Sequence, residues 1–127
     1  GFDLAKIPIE YCERKYAIKG AQFYSSGIPS KMADFSVMSG TFNYAPDLTV
    51  NAWRNYLFSS LKSIWTITRC SMIFNLMISE EDKITSQSIS YIKKETILNF
   101  CQSNFGTTSQ YSSSKLPREI TFCIRKI

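Results

Sequence analysis

The sequence of 127 residues contains no histidine. Histidine has the side-chain pKa closest to neutrality, so it is the usual proton carrier in hydrolytic sites and a frequent metal ligand. Its absence excludes a Ser-His-Asp triad, a Cys-His dyad, a histidine-based ribonuclease pair and a His-ligated zinc site. We therefore expect a protein without catalytic residues, cofactor or metal, which acts by binding.

Long apolar runs are also missing. Apolar residues make up 44% of the chain and charged residues 20%, which is typical of a globular protein. No run reaches the roughly 18 apolar residues that a membrane-spanning helix needs, so we expect no membrane span. The length fits one domain over 1–127, and we expect a monomer. Because the sequence begins at Gly1 rather than Met, we expect that a targeting segment has been removed.

The chain carries 15 Lys and Arg against 10 Asp and Glu, a net charge of +5. Such a balance favours acidic partners, among them nucleic acid, an anionic membrane or an acidic protein face. Near the start of the chain, basic and aromatic residues interleave, as on surfaces that bind single-stranded nucleic acid, and the basic groups could form one patch if the termini are joined. The alternative is solvated strand ends with the aromatic rings in the core. The candidate binding surface comprises Arg14, Lys15, Tyr16, Lys19, Tyr24, Lys93, Lys94, Arg118, Arg125 and Lys126.

The four cysteines are Cys12, Cys70, Cys101 and Cys123, and no two form a CxxC motif. An even number without metal-site spacing suits two disulfides in an oxidising compartment. Of the three possible pairings we favour Cys12–Cys123 with Cys70–Cys101. The first would join the two ends of the chain and stabilise a small domain by about 4–5 kcal/mol. Four free thiols, or a single terminal bridge, remain as alternatives.

Hydrophobic spacing predicts one clear helix over 50–61, with Asp47 or Thr49 as its N-cap. A short helix is predicted over 31–39 and an extended segment over 7–12.

The second half of the chain favours strands. Segments 71–78 and 84–92 read as an antiparallel hairpin, and 120–124 as the last strand. Segment 93–105 fits a helix or a strand, and the Ser/Thr-rich segment 107–115 is predicted to be an exposed loop. Runs of like elements favour an α+β fold, with a helix packed on an antiparallel sheet.

Carboxylates offer little sign of catalysis. Glu80, Glu81 and Asp82 are consecutive, whereas acid/base catalysis needs two facing carboxylates in different environments. We expect these three acids to lie on a solvated turn.

The chain has an aromatic residue beside a cysteine near its start (Tyr11-Cys12), then a predicted helix, a strand-rich half and Cys123 in the final strand. In this order of features it resembles the ribonuclease-like secreted effectors of powdery mildew fungi. In that family the tyrosine and cysteine are separated by one residue, whereas here they are adjacent. The resemblance implies a small microbial-ribonuclease-like fold that has lost its catalytic histidines. It also implies binding to a host macromolecule, and recognition of some members by intracellular plant immune receptors.

We therefore predict a secreted, non-catalytic effector of the virulence or avirulence type, with disulfide-tied termini. Its partner would be a host protein, for instance an immune receptor reached in the host cytoplasm, or RNA. The alternatives are an RNA-binding pseudo-ribonuclease and a secreted hydrolase that works without histidine.

Overall fold

The computed structural model describes residues 1–16, 18 and 20–126. In it the chain forms two compact units, Gly1–Lys31 and Met32–Ile127. The expectation of one domain remains a prediction.

The first unit places one helix between two short parallel strands. Strand β1 (Phe2–Asp3) pairs with β2 (Tyr24–Ser25), and helix α1 (Lys6–Lys15) lies between them in the chain. The prediction of an extended segment over 7–12 is wrong. Pro8 lies in the first turn of α1, where its missing N–H is not needed for the helix and its fixed φ is suitable.

The second unit contains a mixed six-stranded sheet and two helices. Its elements in chain order are β3 (Ala33–Met38), α2 (Val50–Ile67), β4 (Thr68–Ser79), β5 (Lys83–Ile84), β6 (Ser90–Lys93), α3 (Lys94–Asn104), β7 (Thr108–Ser113) and β8 (Leu116–Arg125). Strands β3 and β6 run parallel to the central strand β4, whereas β8 is antiparallel to it and pairs with β7 on its other side. The expected α+β fold on an antiparallel sheet is therefore wrong.

Several local predictions are confirmed. The helix over 50–61 begins at Val50 as expected, and the hydroxyl Oγ1 of its N-cap Thr49 accepts a hydrogen bond from Ala52 N at 3.2 Å. It continues to Ile67, beyond the predicted end. The strands over 71–78 and 120–124 lie inside β4 and β8, and the helical alternative for 93–105 is the correct one.

The predicted helix over 31–39 is strand β3. Met38 is buried while Phe35 and Val37 are exposed, so its side chains alternate between the two faces of a sheet. The strand pairs with β4 from Ala33↔Thr68 to Met38↔Phe74. This pairing overrides the helix-like spacing of Met32, Phe35 and Met38.

Two further predictions in the second half are wrong. Segment 84–92 forms no antiparallel hairpin with β4, because β6 joins the end of β4 in parallel, with Ile78 opposite Ile92. Strand β5 instead pairs antiparallel with β6. The expected loop over 107–115 contains β7, an outer strand whose polar side chains suit an edge that faces solvent.

The core of the second unit lies between one face of the sheet and the two helices. Buried side chains of β4, such as Phe74, face Trp53 and Leu57 of α2 in one cluster. The helices also touch each other, since the rings of Phe58 and Phe100 stack with centroids 3.8 Å apart. The other face of β3 carries two exposed apolar side chains, Phe35 at 64% and Val37 at 68% exposure.

Helix α2 passes into strand β4 without a loop. Thr68 is fully buried at this junction, and its hydroxyl donates to the Ile64 carbonyl oxygen at 2.7 Å. Ser36 Oγ of β3 lies 2.6 Å from Thr68 Oγ1. Because the single hydroxyl proton of Thr68 is used by Ile64, Ser36 must be the donor of the second bond. The Thr68 side chain thereby links helix α2 with strands β3 and β4. A second loop-free junction joins β6 to α3.

None of the helices in the described part of the chain has the length and hydropathy that a membrane crossing requires. The expectation of no membrane-spanning segment is confirmed to that extent.

The four cysteines are free thiols, so the predicted disulfides Cys12–Cys123 and Cys70–Cys101 are absent from the structure. Cys101 is buried on the core side of α3, whereas Cys70 is exposed on β4. Burial raises the pKa of the Cys101 thiol to about 12. Because only the thiolate reacts readily, the two cysteines should differ strongly in reactivity.

Thr68→Val should lower the free energy of unfolding by about 1–3 kcal/mol, because it removes the Thr68 hydroxyl from the buried Ile64 carbonyl oxygen and from the half-buried Ser36 hydroxyl. Urea denaturation measures the change. Thr66→Val is the matched control, since Thr66 is exposed and its hydroxyl bonds only to the Ser63 carbonyl of its own helix. Equal losses in the two variants would contradict the role given to Thr68.

Alkylation of the native protein without reductant should modify Cys70 first and Cys101 last, as measured by intact mass and peptide mapping. Cys101 should react at a normal rate only after unfolding, because its thiol stays protonated in the fold at pH values where an exposed thiol ionises. A protein that takes up label only after reduction would contain disulfides and would contradict the free thiols.

Candidate functional site

The carboxyl ends of parallel strands are the usual ligand-binding edge of an α/β sheet. Strand β3, helix α2 and strand β4 form a βαβ unit, so the carboxyl ends of β3 and β4 lie at one edge of the second unit. Two connections leave from this edge. They are the segment 39–46, which we call the β3 loop, and the acidic turn 80–82.

Asparagine side chains hold the β3 loop against the sheet. Gly40 N donates to Asn75 Oδ1 of β4 at 2.6 Å, and Met77 N donates to Asn43 Oδ1 at 3.3 Å. The Asn43 carbonyl oxygen accepts a bond from Ser90 N of β6 at 3.0 Å. The loop is thus fixed to two strands by hydrogen bonds that do not depend on pH.

A second anchor fixes the middle of the β3 loop to the helix. The carbonyl oxygen of Phe42 accepts bonds from Trp53 Nε1 at 3.0 Å and from Ser90 Oγ at 2.7 Å. Phe42 is 2% exposed. Both donors are buried, so this carbonyl is as firmly placed as one inside a secondary-structure element.

The outer part of the β3 loop is open. Gly40 has φ +69°, a value that strongly favours glycine, and a Cβ built there would meet no atom within 4 Å. Tyr44 follows with 63% of its surface exposed. A rigid backbone beside open space and an exposed aromatic ring can position a flat ligand.

The acidic turn is partly structural. Asp82 Oδ2 accepts a hydrogen bond from Arg54 Nη1 at 2.8 Å, and Asp82 Oδ1 accepts one from Lys93 N at 2.7 Å. Only 11% of the Asp82 side chain is exposed. The prediction of a solvated turn is therefore wrong for Asp82, whereas Glu80 and Glu81 are exposed. Asp82 is thus committed to the fold, and it holds the acidic turn in place at this edge.

Three of the predicted binding residues of the first unit, Arg14, Lys15 and Tyr16, lie at the carboxyl end of α1. Arg14 and Lys15 form its last turn, and Lys15 Nζ donates to Tyr11 Oη at 2.7 Å and lies 5.6 Å from the Tyr16 ring centroid. Tyr24 belongs to β2. Lys19 lies outside the described residues.

The predicted binding residues of the second unit do not form one patch. Lys93 and Lys94 lie at the junction of β6 and α3. Arg118 and Arg125 lie near opposite ends of β8, separated by roughly 23 Å at about 3.3 Å per residue. Arg125 and Lys126 do come together, in a groove at the amino end of β4.

The residues that build the β3 loop were not predicted from the sequence. Gly40 and Asn43 follow a segment that was predicted to be a helix, and Asn75 lies 35 residues beyond Gly40. A signal was present, because a glycine directly after an apolar alternating segment is typical of a strand that ends in a tight turn.

The chain matches no protein-family model, and no curated protein matches its sequence. Solved structures do resemble it. DhpI in complex with SAH shares 10% identity at a TM-score of 0.64, covering 98% of this chain and 63% of DhpI. Magnesium protoporphyrin IX methyltransferase (ChlM) from Synechocystis PCC 6803 with bound SAM also shares 10% identity at a TM-score of 0.64, covering 100% of this chain and 58% of ChlM.

A SAM-dependent methyltransferase of the DUF858 family from Leishmania major also resembles this chain in structure. It shares 12% identity at a TM-score of 0.65, with 98% of this chain and 53% of that chain covered. The chain thus spans between 53% and 63% of the length of these structures. At such low identity the likeness shows the fold alone.

The shared fold is methyltransferase-like, and it overturns the expectations drawn from the resemblance to mildew effectors. The fold is not that of a microbial ribonuclease, the termini are not joined by disulfides, and the prediction of a non-catalytic effector is wrong. The expectation that the chain is no enzyme is contradicted as well, since the fold is shared with structures that are named methyltransferases. Secretion stays a prediction.

Asn75→Ala should release Gly40 and speed hydrogen exchange at the Gly40 amide by about fivefold or more, since the loss of one hydrogen bond costs about 1 kcal/mol. Exchange measured by NMR gives the rate residue by residue. Asn75→Asp keeps the acceptor atom and should retain the protection. If both variants exchange at the rate of the unaltered protein, Asn75 does not hold the β3 loop.

Proposed function

We propose that this chain forms part of a SAM-dependent methyltransferase, in which the β3 loop faces the reacting groups. The observation that carries the proposal is the fold, which is matched over at least 98% of the chain by structures that bind SAM or SAH. The β3 loop supports it, because it lies at the edge of the sheet where such folds bind ligands.

The absence of histidine is compatible with methyl transfer. When bound, SAM supplies a methyl group that is already activated by a positively charged sulfur. What the protein must then do is align donor and acceptor and exclude water, which requires positioning more than proton transfer. The fixed backbone of the β3 loop suits that task.

The described residues fit SAM in part. In the second unit the open space at Gly40 and the ring of Tyr44 suit a flat group.

The chain lacks one component that such sites use. Glycine-rich turns let a backbone approach a nucleotide closely, but the five glycines here are scattered at positions 1, 20, 27, 40 and 106. The described residues therefore form only some of the walls of a SAM site. We propose that the chain by itself binds the cofactor weakly.

Titration of the ¹⁵N-labelled chain with SAH tests the proposal by NMR. We expect amide shifts at the β3 loop, with Gly40 and Tyr44 among the largest, and weak, millimolar affinity. Tyr44→Ser should weaken binding severalfold. Tyr11→Ser is the control, because Tyr11 is a similarly exposed tyrosine on the outside of α1.

The proposal fails if SAH at about 10 mM shifts no amide of the β3 loop. It fails equally if Tyr44→Ser and Tyr11→Ser have the same effect on binding.

A further inference from the structure

A groove of about 710 Å³ opens at the amino end of β4, within the second unit. We call it the amino-end groove. The side chains on which its chemistry depends are Trp65, Phe105, Ser109, Tyr111, Arg125 and Lys126. Its volume is in the range of small-molecule sites, which is roughly 300–1,000 Å³.

The amino-end groove is separate from the candidate methyltransferase site. The β3 loop is bonded to Asn75 and Met77 in the second half of β4, whereas Cys123 and Arg125 of the groove lie opposite Ile73 and Ser71 in its first half. No residue of the β3 loop lines the groove. A ligand here would therefore occupy a separate site.

The charge of the groove is positive. Arg125 and Lys126 line it together, and no carboxylate side chain does. Neither cation forms a salt bridge with a carboxylate in the described parts of the chain. Lys126 Nζ donates to the Trp65 carbonyl oxygen at 2.7 Å, which uses one of its three protons and supports the carboxyl end of α2. The Arg125 guanidinium is the donor best placed for an anion.

The walls of the groove are aromatic. The Trp65 ring has two close neighbours, since Lys126 Nζ lies 4.7 Å from its centroid and the Phe105 ring centroid lies 5.3 Å away. Tyr111 differs, because it is 58% exposed and belongs to none of the aromatic pairs found among the described residues. Its ring is available for stacking, and Ser109 lies on the same face of β7.

The cavity combines a guanidinium that has no salt bridge within the described residues, a second cation and an exposed tyrosine ring. These groups match a ligand that has both a flat ring system and a negative charge. Bases stack on tyrosine, and arginine binds phosphate through two parallel hydrogen bonds. We propose that the amino-end groove binds a nucleoside monophosphate, with the base on Tyr111 and the phosphate on Arg125 and Lys126. The same group could be a free nucleotide or the 5′ end of a strand.

Trp65 provides a direct readout. It is half-buried at the groove, whereas Trp53, the other tryptophan, is 2% exposed in the core and gives a constant background. Titration with AMP should change tryptophan fluorescence to saturation, and Trp65→Phe should abolish the change. Adenosine and inorganic phosphate should each bind at least about tenfold more weakly than AMP, because each lacks half of the recognised group.

Two variants test the phosphate contact and the base contact separately. Arg125→Gln should weaken AMP binding about tenfold, which is the cost of one strong hydrogen bond to a charged group. Tyr111→Ser should weaken it about fivefold or more. Arg118→Gln is the control, because Arg118 is an exposed arginine on the same strand, and it should leave binding unchanged. Unchanged melting temperatures would show that the variants are folded.

The probe pApA distinguishes the two sources. Tighter binding than AMP indicates the 5′ end of a strand, and equal binding indicates a free nucleotide, and either result supports the site. The proposal is overturned if AMP causes no saturable change, if inorganic phosphate binds as well as AMP, or if Arg118→Gln weakens binding as much as Arg125→Gln. Because SAH has no phosphate and its expected shifts lie at the β3 loop, either proposal can fail alone.

Discussion

The buried hydroxyl of Thr68 fixes the geometry on which the second unit depends. It lies where α2 becomes β4, and it bonds to the helix on one side and to β3 on the other. The last turn of α2 therefore cannot rotate without breaking the hydrogen bond between Thr68 of β4 and Ser36 of β3. The carboxyl ends of β3 and β4 are set relative to each other from this junction, and the β3 loop starts from one of them.

The candidate site is built from neutral groups. Asn43, Asn75 and Ser90 hold the β3 loop, and none of them titrates in the physiological range. The absence of histidine therefore predicted a non-catalytic binding protein. That inference is valid for reactions that need proton transfer, but a reaction whose leaving group is already activated depends mainly on the alignment of donor and acceptor. The absence of histidine therefore does not exclude group transfer.

Local patterns in the sequence predicted some elements well. Helix α2 was found because its buried stripe is repeated within the helix itself, and β4 was found from its apolar run. Strand β3 was missed because Met32, Phe35 and Met38 have helical spacing, while the strand that overrides it lies about 35 residues away. The direction of pairing was also beyond local reasoning, since segment 84–92 follows β4 closely enough for a hairpin. The partners of the β3 loop are equally distant, so the candidate site was not predicted.

The loop-free junction between β6 and α3 constrains the length of the chain. Each residue inserted between Lys93 and Lys94 would turn the following helix by about 100°. A single insertion would carry Ile97 and Cys101, which are fully buried, out of the core. Each residue deleted there would turn α3 by about 100° in the opposite direction and would also move these side chains out of the core. A surface turn such as that between β7 and β8 is free of this constraint, because no helix follows it and a longer connection alters no helical phase.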